Sequence, residues 1–292
     1  MAARVCVVGS VNLDLILGVS ALPHPGETVL ATSARSAPGG KGGNQAVAAA
    51  RAGARVQFVG AVGNDPAADQ LRTHLLANGI ELDGIVGLPG PSGTAIIVVD
   101  ACAENTIVVA PGANADLTLA DPAARAVIRD CDVLLTQLEI PVTTAVAAAR
   151  DARSAGAVVM VNASPAGRDD RDTGALAELA ALADVVVANE SEAREWHWQS
   201  PHFVVTLGAR GARYLGADGE FDIPAPSVAA VDTTGAGDVF AGVLAANWPS
   251  NPGLPAQRLR ALRRACAAGA LATLVPGAGD CAPYADAIEA AL

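Results

Sequence analysis

The chain has 292 residues, with 30 acidic and 19 basic side chains, a formal net charge of −11, and 51% hydrophobic but only 3% aromatic residues. That length suffices for one large α/β core filled by Ala, Val, Leu and Gly, and the acidic balance without a basic patch argues against nucleic acid as a partner. Five cysteines, Cys6, Cys102, Cys131, Cys266 and Cys281, include no C-x-x-C pair; a reduced, cytoplasmic compartment is expected, without a structural zinc site and without a membrane span.

Residues 5–9 read as a first strand rather than a signal peptide. The strand ends at Gly9-Ser10, and the polar pair Asn12 and Asp14 follows. Their i, i+2 spacing in an extended segment puts both on one face, with Leu13 and Leu15 on the other. The end of a first strand is where α/β sheets bind ligands; a turn held by Asn and Asp side chains is the alternative. A turn at 23–26 precedes a strand expected over 28–34. Pro38-Gly39-Gly40-Lys41-Gly42-Gly43-Asn44-Gln45 then opens a helix over 46–52. Glycines weaken a helix start through backbone entropy, so close approach of a ligand to the backbone is the expected compensation. This is not a P-loop, which needs G-x-x-x-x-G-K followed by Ser or Thr. Lys41 and Asn44 can both hydrogen-bond sugar hydroxyls.

A strand at 56–60 and a helix from Asn64-Asp65-Pro66 to about Asn78 come next, with Asn64 or Asp65 as cap. Residues 84–93 read as turn-rich. Strands at 95–99 and 106–109 look like a hairpin; with 29–34 they form a small sheet placed to cover a ligand as a lid. Helix 122–129 leads to strand 133–137. Glu139 follows, either as a site carboxylate at a strand's C-terminal end or as N-terminal charge for the helix opening at Pro141. Strand 158–162, helix 174–181 and strand 185–188 follow. Asn189-Glu190-Ser191-Glu192 opens another helix; these side chains either cap it or hold a hydrated magnesium ion through water. Strand 204–207 ends near Gly208, and a hairpin turns at Asp218-Gly219. Helices over 239–247, 257–273 and 284–292 close the chain.

Before the first of those helices lies Asp232-Thr233-Thr234-Gly235-Ala236-Gly237-Asp238. Small residues at a helix start expose backbone N–H groups that can hold an anionic oxygen. A carboxylate just behind, Asp238, can take a proton from a hydroxyl. A glycine-containing helix start capped by Asp238 is the alternative. The absence of G-x-G-x-x-G after the first strand excludes a nicotinamide-dependent oxidoreductase.

Two motifs, GGKGGNQAVAAARAGA from Gly39 and VDTTGAGDVF from Val231, with Asn189-x-x-Glu192, resemble the ribokinase family of sugar kinases over essentially the whole chain. Asn12 with Asp14, Pro25 to Thr28 and Gln137-Leu138-Glu139 look like its ribose-phosphorylating members. The resemblance implies an α/β, three-layer Rossmann-like fold: a mostly parallel central sheet flanked by helices, with a small β-sheet lid. Residues 1–292 would be a single domain, its lid formed by segments about 12–37 and 93–110. It further implies transfer of the ATP γ-phosphoryl to the terminal hydroxyl of ribose. Asp238 would be the base, and Gly235, Ala236 and Gly237 the anion hole. Asn12, Asp14, Gly40, Lys41, Asn44 and Glu139 would bind the sugar. Asn189, Thr206, Gly208 and Gly237 would lie at the ATP phosphates, and Glu192 would act on magnesium through water. A monovalent cation, usually potassium, would sit on the carbonyls of Asp232, Thr234, Ala272, Val275 and Gly277, with help from the Asp232 side chain. A homodimer through the lids is implied. Three departures stand out. The last cation position, commonly serine, matches Cys281, whose thiol is a poor ligand for a hard cation. Ala265 replaces a polar residue near adenine. A short tract, 193–202, stands where the family has a helix and more; its Trp196, His197 and Trp198 are expected to patch apolar surface left by that helix.

Overall fold

The computed structural model describes residues 2–102, 104–165, 173–250 and 253–292. The first part of the chain runs β1 (Arg4–Val8), β2 (Asn12–Gly18), β3 (Ser33–Gly39), α1 (Lys41–Arg51), β4 (Arg55–Val62), α2 (Pro66–Ala77), β5 (Glu81–Gly87), β6 (Gly93–Val99) and β7 (Asn105–Ala110). The middle follows as α3 (Pro122–Arg129), β8 (Val133–Thr136), α4 (Val142–Ser154), β9 (Val158–Asn162), α5 (Thr173–Leu182), β10 (Val185–Asn189) and α6 (Glu190–Glu195). Then come β11 (His202–Thr206), β12 (Ala212–Gly216), β13 (Gly219–Ile223), α7 (Ala236–Asn247), α8 (Pro255–Ala272) and α9 (Ala285–Ala290).

A nine-stranded sheet has the order β13-β12-β11-β10-β9-β8-β1-β4-β5. It is parallel from β5 through β11 and antiparallel at β12 and β13. Strands buried on both faces must be apolar throughout, and β1 and β9 are: Val5 to Val8 and Val158 to Val161 are all at most 1% exposed. Val5 and Val7 pack toward α1, α2, α7 and α8, while Cys6 and Val8 pack toward α3, α4 and α5. Among the described residues no helix is long and apolar enough to cross a membrane.

A second sheet, β3-β2-β6-β7, forms the lid. Leu15, Ile96 and Val108 are register partners across β2, β6 and β7 and share its outer face. Asp14, Ile16 and Ile97 line a cleft on the inner face. The alternation expected of Asn12 and Asp14 against Leu13 and Leu15 is what the strand adopts.

Three sequence expectations move. The strand expected at 28–34 lies instead at Ser33–Gly39, where it pairs from Asn12↔Gly39 to Gly18↔Ser33. Leu30, inside the expected range, is 89% exposed. The turn-rich reading of 84–93 hides the end of β5. Gly84 sits beside a register irregularity of β4, where a Cβ would press on Val59; glycine there marks a bulge, not a turn. Helix α1 begins at Lys41, not at residue 46. The tract after Glu192 is α6 and a short connection, and Trp196 and Trp198 pack edge to face, 5.2 Å apart, against the core beneath α4 and α5. The two tryptophans cover apolar surface there, whereas His197, expected to join them, is exposed.

Candidate active site

The loop from β1 to β2 and the start of α1 are pressed together. A Cβ on Gly40, which has φ +84°, would lie 2.7 Å from Asn12 N; one on Gly42 would lie 2.7 Å from Ser10 O. The glycines therefore admit the chain's own backbone, and the close approach expected of a ligand is made here by residues 9–12. This contact seats Glu139: its Oε2 accepts from Ser10 Oγ at 2.5 Å and from Lys41 N at 3.3 Å. Helix α4 starts without a side-chain cap, so Glu139 does not cap it; its carboxylate is held by the β1–β2 loop and the start of α1.

Helix α7 delivers Asp238. Gly242, one turn on, leaves room for Gln45 O and Ala48 of α1, so the two helices meet closely. Asn44 Nδ2 donates to Asp238 Oδ2 and Gln45 Nε2 to Asp238 Oδ1, each at 3.0 Å. Gly235 is left-handed, φ 79°, and acts as N-cap. The N–H groups of Gly237 and Asp238 have no intrachain acceptor among the described residues, whereas Ala236 N donates to Thr233 O at 3.3 Å. Free N–H groups at the positive end of a helix attract an anion. Asp238 is thus not spent as a cap.

Asn12 Oδ1 accepts from Asn114 Nδ2 at 2.8 Å, in space left by Gly93. Asp14 is 8% exposed, and its Oδ1 is buried without a partner. Burial, reinforced by Glu139 and Asp238, pushes its carboxyl up to about 7. In the ligand-free protein this ionisation opposes folding: the stabilising effect of the neutral form is present below the unfolded carboxylate value and is lost as pH rises through 7. Asp14→Asn should therefore raise the melting temperature by a few degrees at pH 8, and the gain should shrink as the pH falls to 5. Thermal unfolding at both pH values checks this.

Two clefts meet these residues. The larger, about 410 Å³, lies between the lid and the loops at 230–234 and 276–280, and is lined by Asp14, Arg35, Asp232, Thr234 and Gly277 among others. The smaller, about 130 Å³, is lined by Lys41, Asn162, Asn189, Glu192, Thr206, Gly235, Gly237 and Asp238. Gly208, φ +59°, begins a 3-10 turn just past β11 and lies outside that lining. Asn189 Oδ1 accepts from the N–H groups of Ser191 and Glu192, and Glu192 Oε2 from Asn189 N, completing a capping box. The cap is real, and Glu192 faces the cleft from within it. Lys41 is half-buried, and desolvation alone would lower its pKa, but Asp238, Glu139 and Glu192 together raise it. The cleft holds a fixed positive charge beside free N–H groups, which suits a polyphosphate.

Asp232 ties two loops together: Thr234 N donates to its Oδ1 at 2.9 Å and Gly277 N to its Oδ2 at 2.8 Å. Burial opposes its charge, but these N–H bonds prevail and hold the carboxyl below its ordinary value. The carbonyls of Asp232, Val275 and Gly277 accept no backbone hydrogen bond among the described residues, whereas that of Ala272 accepts from Val275 N at 3.2 Å. Unspent carbonyls beside a carboxylate fit a hard alkali cation. Cys281 does not add to that set. Its buried thiol, pushed up to about 11, donates to Ala278 O at 3.3 Å and faces Thr234 O at 3.9 Å.

Sequence reasoning missed Gln45, Asn162, Ser10 and Asn114. Asn162 had a signal, as a polar residue ending an apolar parallel strand. Gln45 had none, since the contact between α1 and α7 selects it.

Residues 2–285 match the family model described as pfkB family carbohydrate kinase. The chain is 38% identical over 249 residues to the ribokinase of Bacillus subtilis (strain 168), covering 81% of this chain and 83% of that protein. It is 34% identical over 264 residues to the bifunctional ribokinase/ribose-5-phosphate isomerase A of Fructilactobacillus sanfranciscensis, covering 83% of this chain but spanning only about half, 48%, of that protein. The structure is similar to that of the ribokinase of Thermotoga maritima, with a TM-score of 0.86 and 31% identity, covering 99% of this chain and 98% of the other.

Proposed function

The chain belongs to the pfkB family of carbohydrate kinases, and from that premise we propose that it phosphorylates D-ribose at the terminal (5-) hydroxyl, giving ribose 5-phosphate and ADP. The observation that carries the reading is Asp238, held by Asn44 and Gln45 beside the free N–H groups of Gly237 and its own backbone. Asp238 takes the proton of the 5-hydroxyl as that oxygen bonds to the γ-phosphorus. ATP supplies the phosphoryl group, and the bond from phosphorus to the departing ADP oxygen breaks. The free N–H groups of Gly237 and Asp238 neutralise the charge on the phosphoryl oxygens, and Lys41, expected in the sugar set, is assigned here to the phosphates because it lines the smaller cleft. Asn12, Asp14, Asn44, Glu139 and the backbone at Gly40 bind the sugar hydroxyls. Asn189, Thr206 and Gly208 flank the phosphates. Glu192 would hold hydrated magnesium through water, since one carboxylate with phosphate oxygens is an ordinary site for that ion. Potassium would order the Asp232 loop from the carbonyls of Asp232, Thr234, Ala272, Val275 and Gly277, with the Cys281 thiol outside its shell.

A homodimer through the lids belongs to the same reading. Leu15, Ile96 and Val108 are 38%, 39% and 60% exposed on the outer lid face, and an apolar face of that kind favours a partner.

One coupled assay tests the proposal: magnesium, ATP and a panel of ribose, deoxyribose, fructose and adenosine, in potassium and in sodium. Ribose should give the highest kcat/KM, and potassium should raise the rate. ADP release with no acceptor above the blank would remove the kinase reading. A much better acceptor would remove ribose alone, and equal rates in the two salts would remove the cation. Cys281→Ser, which restores a hydroxyl, should lower the potassium concentration needed for half-maximal rate severalfold.

A further inference from the structure

Gln45 and Gln137 are fully buried, and the chemistry above asks neither to touch a substrate. Buried amides destabilise unless paired, and their pairing here has a direction. Gln45 Nε2 donates to Asp238 Oδ1 and to Asn162 Oδ1, both at 3.0 Å. Gln45 Oε1 accepts from Gln137 Nε2 at 2.8 Å. Asn162 Nδ2 donates to Val187 O at 3.1 Å, which fixes the end of its amide that faces Gln45. Turned over, Gln45 would set its oxygen against two oxygens and its NH₂ against another NH₂. The polarity of each amide is therefore dictated by its neighbours. Gln137 keeps its N–H on Gln45 although its own Oε1 is buried without a partner, packed over Gly9 where a Cβ would collide with it. Leaving that oxygen unpaired is unfavourable, which marks the contact with Gln45 as the purpose of the arrangement.

We propose that Gln137 and Gln45 form an amide relay that positions Asp238 for proton transfer, with Gln137 acting through Gln45. The inference rests on the reading of Asp238 as the base. A donated N–H fixes one carboxylate oxygen, so the other geometry of Asp238 follows from β8 and α1 rather than from the substrate.

The test is a double-mutant cycle with the acceptor turned over fastest in the panel above. Gln45→Met and Gln137→Met keep shape and remove the amides. Gln45→Met should lower kcat about tenfold, as expected for loss of one hydrogen bond to a charged group, and Gln137→Met, which removes an amide–amide hydrogen bond, by up to as much, each with the sugar KM within about twofold. The double variant should be no slower than Gln45→Met alone, because both act on one path. A roughly hundredfold additive loss, or a change in KM at constant kcat, would overturn the relay. Should Gln45→Met not fold, Gln137→Met is combined with Asp238→Asn. The relay then expects less than about a twofold change in the residual rate, and a further tenfold loss overturns it. A wild-type rate for Asp238→Asn would remove the base reading and the relay together, whereas additivity removes the relay alone.

Discussion

Asp238→Asn should lower kcat for ribose by about 10³-fold, within the range for loss of a positioned general base, while ribose still binds. The substitution keeps the shape of the side chain. The new amide oxygen can still accept from Gln45, and the amide of Asn44 can turn over to present its oxygen. It also removes one of three carboxylates around Lys41 and leaves Glu139 and Glu192 to balance that charge. The fold should therefore survive with little change in melting temperature. Calorimetric titration with ribose should give a Kd within a few-fold of wild type, and single-turnover kinetics should locate the loss in the phosphoryl transfer itself. A parallel loss of ribose binding would assign Asp238 to binding rather than to proton transfer.

Much of the architecture is legible in the sequence because its strands are apolar runs separated by helices. Residues 158–162 and 185–188 can be read only as parallel strands buried on both faces. The lid was harder. β3 reads SARSAPG and has no alternating apolar face; it is a strand because β2 offers it a partner along its whole length. The expected range 28–34 includes Val29 and Leu30, which tertiary structure leaves out of the sheet. The candidate site divides in the same way. Asp238 is legible because a helix that opens on Gly-Ala-Gly exposes N–H groups. Glu139 is legible only as a pair of alternatives, because its partners Ser10 and the N–H of Lys41 lie far from it in the chain. Asn189 and Glu192 form the capping box and also line the smaller cleft, so the cap alone does not separate the two readings. Gln45 and Gln137 lie far apart in the chain, and nothing local marks them as a pair.

Lys41→Met should lower kcat/KM for ATP by about 10²–10³-fold, the usual effect of removing one charge-stabilising donor from an enclosed site. Lys41 is already constrained without ligand. It sits at the first position of α1, where a positive charge meets the positive end of the helix dipole and is locally unfavourable. Burial opposes its charge as well. It stays charged because Asp238, Glu139 and Glu192 converge on it, yet it lines the smaller cleft beside Gly235 and Gly237. A charge kept in an unfavourable place, next to free N–H groups, is placed for an incoming anion. Methionine keeps the length of the side chain and removes the charge, leaving the three carboxylates facing each other and the phosphates. Nucleotide binding should weaken, because the remaining carboxylates repel the phosphates with no positive charge between them. Ribose affinity should change much less, because the sugar hydroxyls are neutral. Separate calorimetric titrations with ATP and with ribose check this. Equal losses for both ligands would place Lys41 in the sugar site instead.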